Sequence, residues 1–398
     1  MTKRLVLAYS GGLDTSVAIH WLTKRGYDVI ATTIDVGEAK DTSLLMQRAT
    51  AAGAVDVRVL DLKAELAEGY LWPALQANAL YQGRYPLATA LARPLLAKAL
   101  CQVADETGAA AIAHGSTGKG NDQVRFDVAI ATLRPGTEIV APAREWGLTR
   151  ADEIQYAAEH GIPVQATLDA PFSVDANLWG RSVEGGVLED PWTAPPEGCY
   201  DWTEDPATAS DREVTLAFEG GVPVAIDGAQ LDPVTLIGQA QAIGGAAGVG
   251  RIDLMEDRLV GIKSREIYEA PAATLLIAAH QELEFLTLPR ELLQHKAGIE
   301  QTFAQTAYNG LWFTPLREAL VAYIASTQAA VSGEVRLLLS HGKVTVQGRR
   351  SGHSLYSHDL ATYGQGDLFD HKAAVGFIAL WGLQSQAYAK AHLTKAHA

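Results

Sequence analysis

The stretch Ser10-Gly11-Gly12-Leu13-Asp14-Thr15-Ser16 follows an apolar run, Leu5-Val6-Leu7-Ala8-Tyr9, and precedes a helical pattern that ends near Arg25-Gly26. A glycine-rich turn therefore stands at a strand-to-helix junction. Two adjacent glycines let the backbone turn tightly and approach an anion with no Cβ in the way, and the first N–H groups of the following helix point outward with partial positive charge. Such a corner holds phosphate. It is not the Walker A loop, which needs G-x-x-x-x-G-K-[ST], nor the dinucleotide turn G-x-G-x-x-G, because Asp14 stands where a lysine or third glycine would have to come.

Outward from this turn, short β-rich runs alternate with longer helical ones: strands at 5–9, 29–34 and 55–60, helices at 15–25 and 42–52, and helical stretches from Ala64 onward. A helix read from Pro94 to Thr107 stops at Gly108, and a buried-strand run at 109–113 leads into a second glycine-rich loop, His114-Gly115-Ser116-Thr117-Gly118-Lys119-Gly120-Asn121-Asp122. Thr149, Asp152 and Glu153 open a helix that stops at His160-Gly161, and there the alternation ends. Beyond about residue 170 the pattern is α+β. A Trp-, Pro- and Gly-rich stretch (179–202) precedes a hairpin, 213–218 with 222–226 about Gly220-Gly221. Strands at 252–255 and 259–262 flank Asp257, helices fill the span from Pro271 to Ala307 and 315–331, and a last hairpin, 335–339 with 344–347, turns at His341-Gly342. From Asp370 the chain is helical, with Ala374, Phe377, Ile378, Trp381 and Tyr388 on one apolar stripe that calls for a cover, from this subunit or another. The expected fold is α/β: a parallel, doubly wound nucleotide-binding domain (1–165), an α+β domain (166–365) and a C-terminal helix serving oligomerisation (366–398).

With 32 Lys+Arg against 46 Asp+Glu among 398 residues, the formal charge is −14, which argues against capture by nucleic acid or an anionic membrane and leaves anionic ligands dependent on local basic groups. Cys101 and Cys199 form no C-x-x-C or metal-ligand spacing. No signal-peptide pattern opens the chain, and no run approaches the ~20 apolar residues of a transmembrane helix, so a cytoplasmic location is expected.

Several residues invite both a chemical and a plain reading. Thr15 and Ser16 offer hydroxyls to phosphate; Asp14 is either a hard oxygen ligand for Mg²⁺ or a helix N-cap. His114 is as readily a satisfied histidine at a strand end as a participant. Arg93 and Arg144 are equally read as partners of structural carboxylates. Asn121-Asp122 makes an Asx-type turn, or offers an amide for a carboxylate or ureido group beside a carboxylate for an α-ammonium.

The order S-G-G-x-D-[ST] after a first strand resembles the PP-loop ATP pyrophosphatases. Residues 8–16 (AYSGGLDTS), 85–94 (YPLATALARP), 113–126 (AHGSTGKGNDQVRF), 172–182 (FSVDANLWGRS), 184–192 (EGGVLEDPW) and 248–269 (GVGRIDLMEDRLVGIKSREIYE) together resemble the argininosuccinate synthases over nearly the whole chain. That resemblance implies joining citrulline and aspartate at the expense of ATP, cleaved to AMP and pyrophosphate, with Mg²⁺, in a homotetramer. It also implies site residues. Ala8, Tyr9, Ser10, Gly11, Gly12, Leu13, Asp14, Thr15, Ser16, Ile34 and Gly115 would hold ATP; Thr117, Asn121 and Asp122 would hold aspartate. Tyr85, Thr89, Asn121, Arg125, Ser173, Ser182, Glu256 and Tyr268 would hold citrulline. Mg²⁺ would ride on the ATP phosphates with Asp14 as its protein ligand. In an acidic chain that must bind a polyphosphate and a dicarboxylate, Lys119 and Arg125 join Asp14 as the catalytic candidates. Two departures stand out: Ile34-Asp35-Val36-Gly37-Glu38 where the family often reads A-[DN]-[IV]-G-Q, and Ala90 where some relatives have serine.

Rival readings fit less well. A tRNA-thiolating enzyme of this superfamily would need a reactive cysteine pair or zinc motif and a basic surface, and an ammonia-using ligase an ammonia source. A noncatalytic nucleotide sensor would not need the cluster from Thr117 to Arg125.

Overall fold

The computed structural model describes residues 3–38, 41–164 and 172–393; the domain boundary expected at 165 lies outside them. Five parallel strands, Lys3–Ala8 (β1), Tyr27–Asp35 (β2), Asp56–Asp61 (β3), Ala111–Ala113 (β4) and Glu138–Val140 (β5), form one sheet in the order β3-β2-β1-β4-β5. β1 is buried on both faces, as a central parallel strand must be. Leu5, Leu7 and Tyr9 pack with Val17, Ile19 and Leu22 of the Leu13–Lys24 helix, Leu45 and Ala49 of Thr42–Ala51, and Ala157 of Arg150–Glu159. Val6, one residue out of phase, packs on the opposite face with Leu100 and Val103 of the Ala88–Thr107 helix and Phe126 and Ile130 of Asp122–Leu133. The sheet is doubly wound.

That winding decides where ligands go. From β1 the chain moves outward to β2 and β3, then returns to β4 and β5 on the other flank. Connections leaving the carboxyl ends of β1 and β4 therefore diverge, which opens a crevice at that point. The two glycine-rich loops leave these two strand ends.

The remaining strands form two antiparallel sheets. Ser173–Asn177 (β6), Gly180–Glu184 (β7), Arg212–Glu219 (β8), Val222–Ile226 (β9), Ala229–Gln230 (β10), Arg251–Asp257 (β11), Lys263–Glu269 (β12), Gly333–Ser340 (β13) and Lys343–Arg350 (β14) order themselves as β10-β9-β8-β13-β14 and β11-β12-β7-β6. Trp72, Tyr85, Trp179, Phe218, Leu276, Phe303 and Tyr308 share one core with the Pro271–Thr287 and Arg290–Tyr308 helices. The described residues up to His353 belong to one compact unit.

Two expected elements are corrected. The helix read from Pro94 begins at Ala88: the Tyr85 hydroxyl accepts the Thr89 N–H at 2.9 Å, and Pro94 sits inside the helix, where its missing N–H leaves only the Ala90 carbonyl without its intrahelical partner. The strand read at 259–262 is a turn. The Arg258 N–H donates to the Ile262 carbonyl, Asp257 pairs with Lys263, and the returning strand is β12. The apolar Val260 and Ile262 are exposed there.

Residues 354–393 belong to a second unit. Its His371–Trp381 helix is capped by Asp370, which accepts the N–H groups of Lys372 and Ala373. Phe377 and Trp381 stack at 5.4 Å between ring centroids, and both are exposed. Among the described residues, no helix is long and apolar enough to cross a membrane.

Candidate active site

At the end of β1 the chain turns through Gly11 at φ 81°, a conformation that favours glycine, and enters the Leu13–Lys24 helix. Gly12 is the N-cap and brings no side chain, so the helix start is uncapped and open to an anion. Hydroxyls shape the loop from within. Ser10 Oγ accepts the Gly12 N–H at 3.3 Å and lies 3.1 Å from Thr15 Oγ1, while the Tyr9 and Ser16 hydroxyls lie 3.4 Å apart. Ile34 follows Thr32, the residue paired with Ala8, by two positions on β2, beside the same strand ends. Gly115, opening the second loop, would bring a Cβ within 3.0 Å of Thr15 Cγ2, so the two loops are in direct contact.

Asp14 does not cap its helix. Its side chain pairs with Glu153 on the Arg150–Glu159 helix; burial, then the hydrogen bond and charge of Asp14, push the Glu153 carboxyl up to about 8. The Glu153 carboxyl therefore favours its protonated form at neutral pH. Among the described residues no group of three or more His, Cys, Asp or Glu could hold a metal ion. The donor set fits a cation that keeps its water and takes one carboxylate plus substrate phosphates, which is the habit of Mg²⁺.

The second loop is braced by buried polar groups. His114 is fully buried: its Nδ1 accepts the Ser116 N–H at 3.2 Å, so its Nε2–H donates to Asp127 at 2.7 Å. His114 is the satisfied histidine of the two readings. Gln123 donates to the Gly118 and Gly120 carbonyls, and Arg144 holds Asp127 and Gln123. Asp122 accepts Arg125 Nη1 at 2.8 Å and Arg93 Nε at 2.9 Å; burial pushes its carboxyl up, but the two guanidiniums outweigh that and hold it below the usual carboxylate range. Arg93 continues to Asp175 on β6. Arg93 and Arg144 are therefore partners of carboxylates that shape the site. Thr117 and Lys119 are exposed at the loop tip, and Lys119 is engaged through its carbonyl, which accepts from Arg258 at 3.2 Å.

Register brings the remaining candidates together. Ser182 pairs with Tyr268 and with Asp175, and Glu256 with Ser264. Because side chains alternate across a strand, Ser173, Ser182, Glu256 and Tyr268 share one face of the β11-β12-β7-β6 sheet. Tyr85 stacks on Tyr268 at 4.1 Å and, through its hydroxyl, holds the Thr89 N–H. Glu256 is buried and accepts the Tyr268 hydroxyl at 2.5 Å and the Tyr308 hydroxyl at 2.5 Å. Asn121 donates to Tyr308 at 2.8 Å and accepts the Leu259 N–H at 2.8 Å, which ties the second loop to this sheet. Arg125 is buried, and its Nη2 has no partner.

Residues 4–163 match the family model described as the arginosuccinate synthase N-terminal HUP domain, and residues 172–388 match that of its C-terminal domain. The chain belongs to the argininosuccinate synthase family. An argininosuccinate synthase of Oceanobacillus iheyensis is 58% identical, covering 98% of this chain and 94% of its own. One of Brevibacillus brevis is 56% identical over 97% and 93%, and one of Symbiobacterium thermophilum 55% identical over 99% of both. The synthase is an ATP-dependent C–N ligase of arginine biosynthesis: it joins citrulline to aspartate with release of AMP and pyrophosphate through a citrullyl adenylate.

That chemistry needs few reacting side chains. A ureido oxygen is a weak nucleophile and a ureido carbon a weak electrophile, so the oxygen attacks the α-phosphorus, pyrophosphate leaves, and the aspartate amine displaces AMP. What an enzyme contributes to such a sequence is position and charge stabilisation. The sequence reading did not single out Glu153, Arg258 or Tyr308 for this site. Arg258 lay within a family-like segment, Glu153 was read only as part of a helix start, and Tyr308 carried no local signal.

Proposed function

We propose that the β1 loop, Ala8 to Ser16, holds the pyrophosphate end of ATP, with Ile34 and Gly115 beside the rest of the nucleotide. Thr117, Asn121 and Asp122 hold aspartate. Tyr85, Thr89, Asn121, Arg125, Ser173, Ser182, Glu256 and Tyr268 hold citrulline. The observation that carries this assignment is the meeting of three parts at the switch point: Gly115 built against Thr15, and Asn121 of the same loop linked through Tyr308 to Glu256. The amides at the open helix start take up negative charge on the departing pyrophosphate. The unpartnered Nη2 of Arg125 is a ready donor for a substrate carboxylate.

Asp14, Lys119 and Arg125 are the charged residues closest to the chemistry in this reading. Mg²⁺ on the phosphates would neutralise charge there, with Asp14 as its protein ligand. We further infer three domains: 1–165, which binds ATP and also carries Tyr85, Thr89, Thr117, Asn121, Asp122 and Arg125; 166–365, an α+β synthetase and multimerisation domain that completes the citrulline site with Ser173, Ser182, Glu256 and Tyr268; and 366–398 for assembly. The exposed Phe377 and Trp381 call for an apolar cover, which a homotetramer would supply, and we infer a cytoplasmic enzyme.

The test of the activation step uses citrulline labelled with heavy oxygen in its ureido group. If that oxygen attacks the α-phosphorus, the label appears in AMP, because the C–O bond breaks when the aspartate amine displaces AMP. Unlabelled AMP in a single turnover would reject citrulline activation at the β1 loop.

A further inference from the structure

Tyr308 ends the Arg290–Tyr308 helix, is fully buried, and reaches three of the proposed citrulline contacts at once. Its hydroxyl donates to Glu256 Oε1 at 2.5 Å and accepts from Asn121 Nδ2 at 2.8 Å. Its carbonyl accepts Arg125 Nε at 3.0 Å, and its ring lies 4.9 Å from the Arg125 guanidinium carbon. The ring itself is fixed by Tyr81, stacked at 3.5 Å with the planes 3° apart.

These bonds remove rotational freedom from the groups they touch. With its oxygen taken by the Leu259 N–H and its nitrogen by Tyr308, Asn121 has one amide orientation. Glu256 receives one phenol on each oxygen, Tyr308 on Oε1 and Tyr268 on Oε2, so its carboxylate plane is set. Arg125, with Nε on the Tyr308 carbonyl and Nη1 on Asp122, keeps Nη2 as its unpartnered donor. A Cβ on Gly310 would come within 3.0 Å of Arg125 Cα, so the turn after Tyr308 is packed on the arginine backbone.

We propose that Tyr308 is a positioning residue for citrulline, fixing Asn121, Glu256 and Arg125 in the arrangement that binds the amino acid. It touches no reacting atom. The inference rests on the assignment of those three residues to citrulline, and the experiment separates the two.

Tyr308→Phe keeps the ring, the stack on Tyr81 and the carbonyl, and removes only the hydroxyl. Leaving buried polar partners unsatisfied weakens an interaction by about ten- to a hundredfold, so the citrulline KM should rise by about tenfold or more. The ATP KM should stay within about threefold, because the β1 loop is not bonded to Tyr308. Glu256→Gln is measured alongside. If Glu256→Gln leaves the citrulline KM unchanged, the underlying assignment fails; if it raises that KM while Tyr308→Phe does not, the role of Tyr308 alone is overturned. A fall in melting temperature with all substrate KM values unmoved, or moved together, would also overturn it. Should Tyr308→Phe not fold, Tyr81→Leu removes the surface that holds the ring. The same selective rise in citrulline KM is then expected, and an unchanged citrulline KM in folded Tyr81→Leu rejects the proposal.

Discussion

Asp122→Asn is the most informative single change. The carboxylate accepts from Arg125 on one oxygen and Arg93 on the other. The amide keeps one acceptor and points an N–H₂ group at a guanidinium, so both ion pairs are lost, one contact survives as a hydrogen bond to a neutral acceptor, and the other becomes donor against donor. Removing one partner of a buried pair costs about 3–5 kcal/mol when the other charge is stranded. Arg93 keeps Asp175, but the buried Arg125 is left with neutral acceptors such as the Tyr308 carbonyl. A loss at the low end of that range, about 3 kcal/mol, follows, which a domain of ordinary stability survives. The functional effect is selective, because the β1 loop shares no bond with Asp122. If the carboxylate takes the α-ammonium of aspartate, losing that charged hydrogen bond raises the aspartate KM by about ten- to a hundredfold. The ATP KM should move by less than about threefold. Pyrophosphate release with each substrate varied in turn, beside a thermal melt, measures both. Because the folded carboxyl lies below its ordinary value, its contribution to stability is present above that value and is lost as pH falls through the lowered one. Wild type should show that acid-side loss and the variant should not. Equal rises for aspartate and ATP would mean the loop has collapsed, and an unchanged aspartate KM would refute the assignment.

Asp14→Ala should fold and lose ATP turnover by about a hundredfold or more, since Gly12 rather than Asp14 stands at the helix N-cap. Full activity in a merely less stable variant, followed by pyrophosphate release and circular dichroism, would refute this. Glu266, pushed up to about 7 by burial and then by the charge of Glu184, favours the folded state below its ordinary 4.5 and loses that contribution as pH rises through 7. Glu266→Gln should abolish this decline, about 3 kcal/mol at most, and denaturant midpoints at pH 5 and 8 that fall equally in both proteins would contradict it. On the proposed homotetramer, removing residues 370–398 should dissociate the assembly, because it takes away the exposed apolar Phe377 and Trp381. An unchanged mass by light scattering would show that the helix is not the assembly element.

What was legible in the sequence was local or periodic. β1 alternates apolar side chains between two buried faces, and each glycine-rich loop follows a strand directly, so strand, turn and helix could be read together. The run 259–262 misled for a physical reason: Leu259, Val260 and Ile262 have strand composition, but the pairing of Asp257 with Lys263 makes them a turn. Pro94 misled because proline suits a helix's first turn, whereas here the Tyr85 hydroxyl caps the helix earlier. Glu153 read as an acidic residue at a helix start, with nothing to announce that burial would set it against Asp14. Tyr308 was invisible, one aromatic at the end of an amphipathic helix. Its partners Asn121 and Glu256 are remote in sequence, and only tertiary packing brings a phenol between them.

On the proposed assignment, the same contacts explain how residues from both halves of the chain would serve one site. Activation needs the ureido oxygen in line with the α-phosphorus, and the second step needs an amine at the ureido carbon once pyrophosphate has gone. On the proposed assignment, the phosphates are fixed by the β1 loop and the amino acids by the β4 loop and the β11-β12-β7-β6 sheet. The separation between them is then set by two contacts: Gly115 against Thr15, where even a Cβ would be tight, and Asn121 against Tyr308 and Leu259. The first is a packing distance within the parallel-sheet half; the second is a hydrogen-bonded tie to the antiparallel half. Rate gained by holding reactants in line is lost with displacements of about an ångström. A change at either contact, though remote from every reacting atom, should therefore act on the step that joins the two halves before it acts on the binding of ATP.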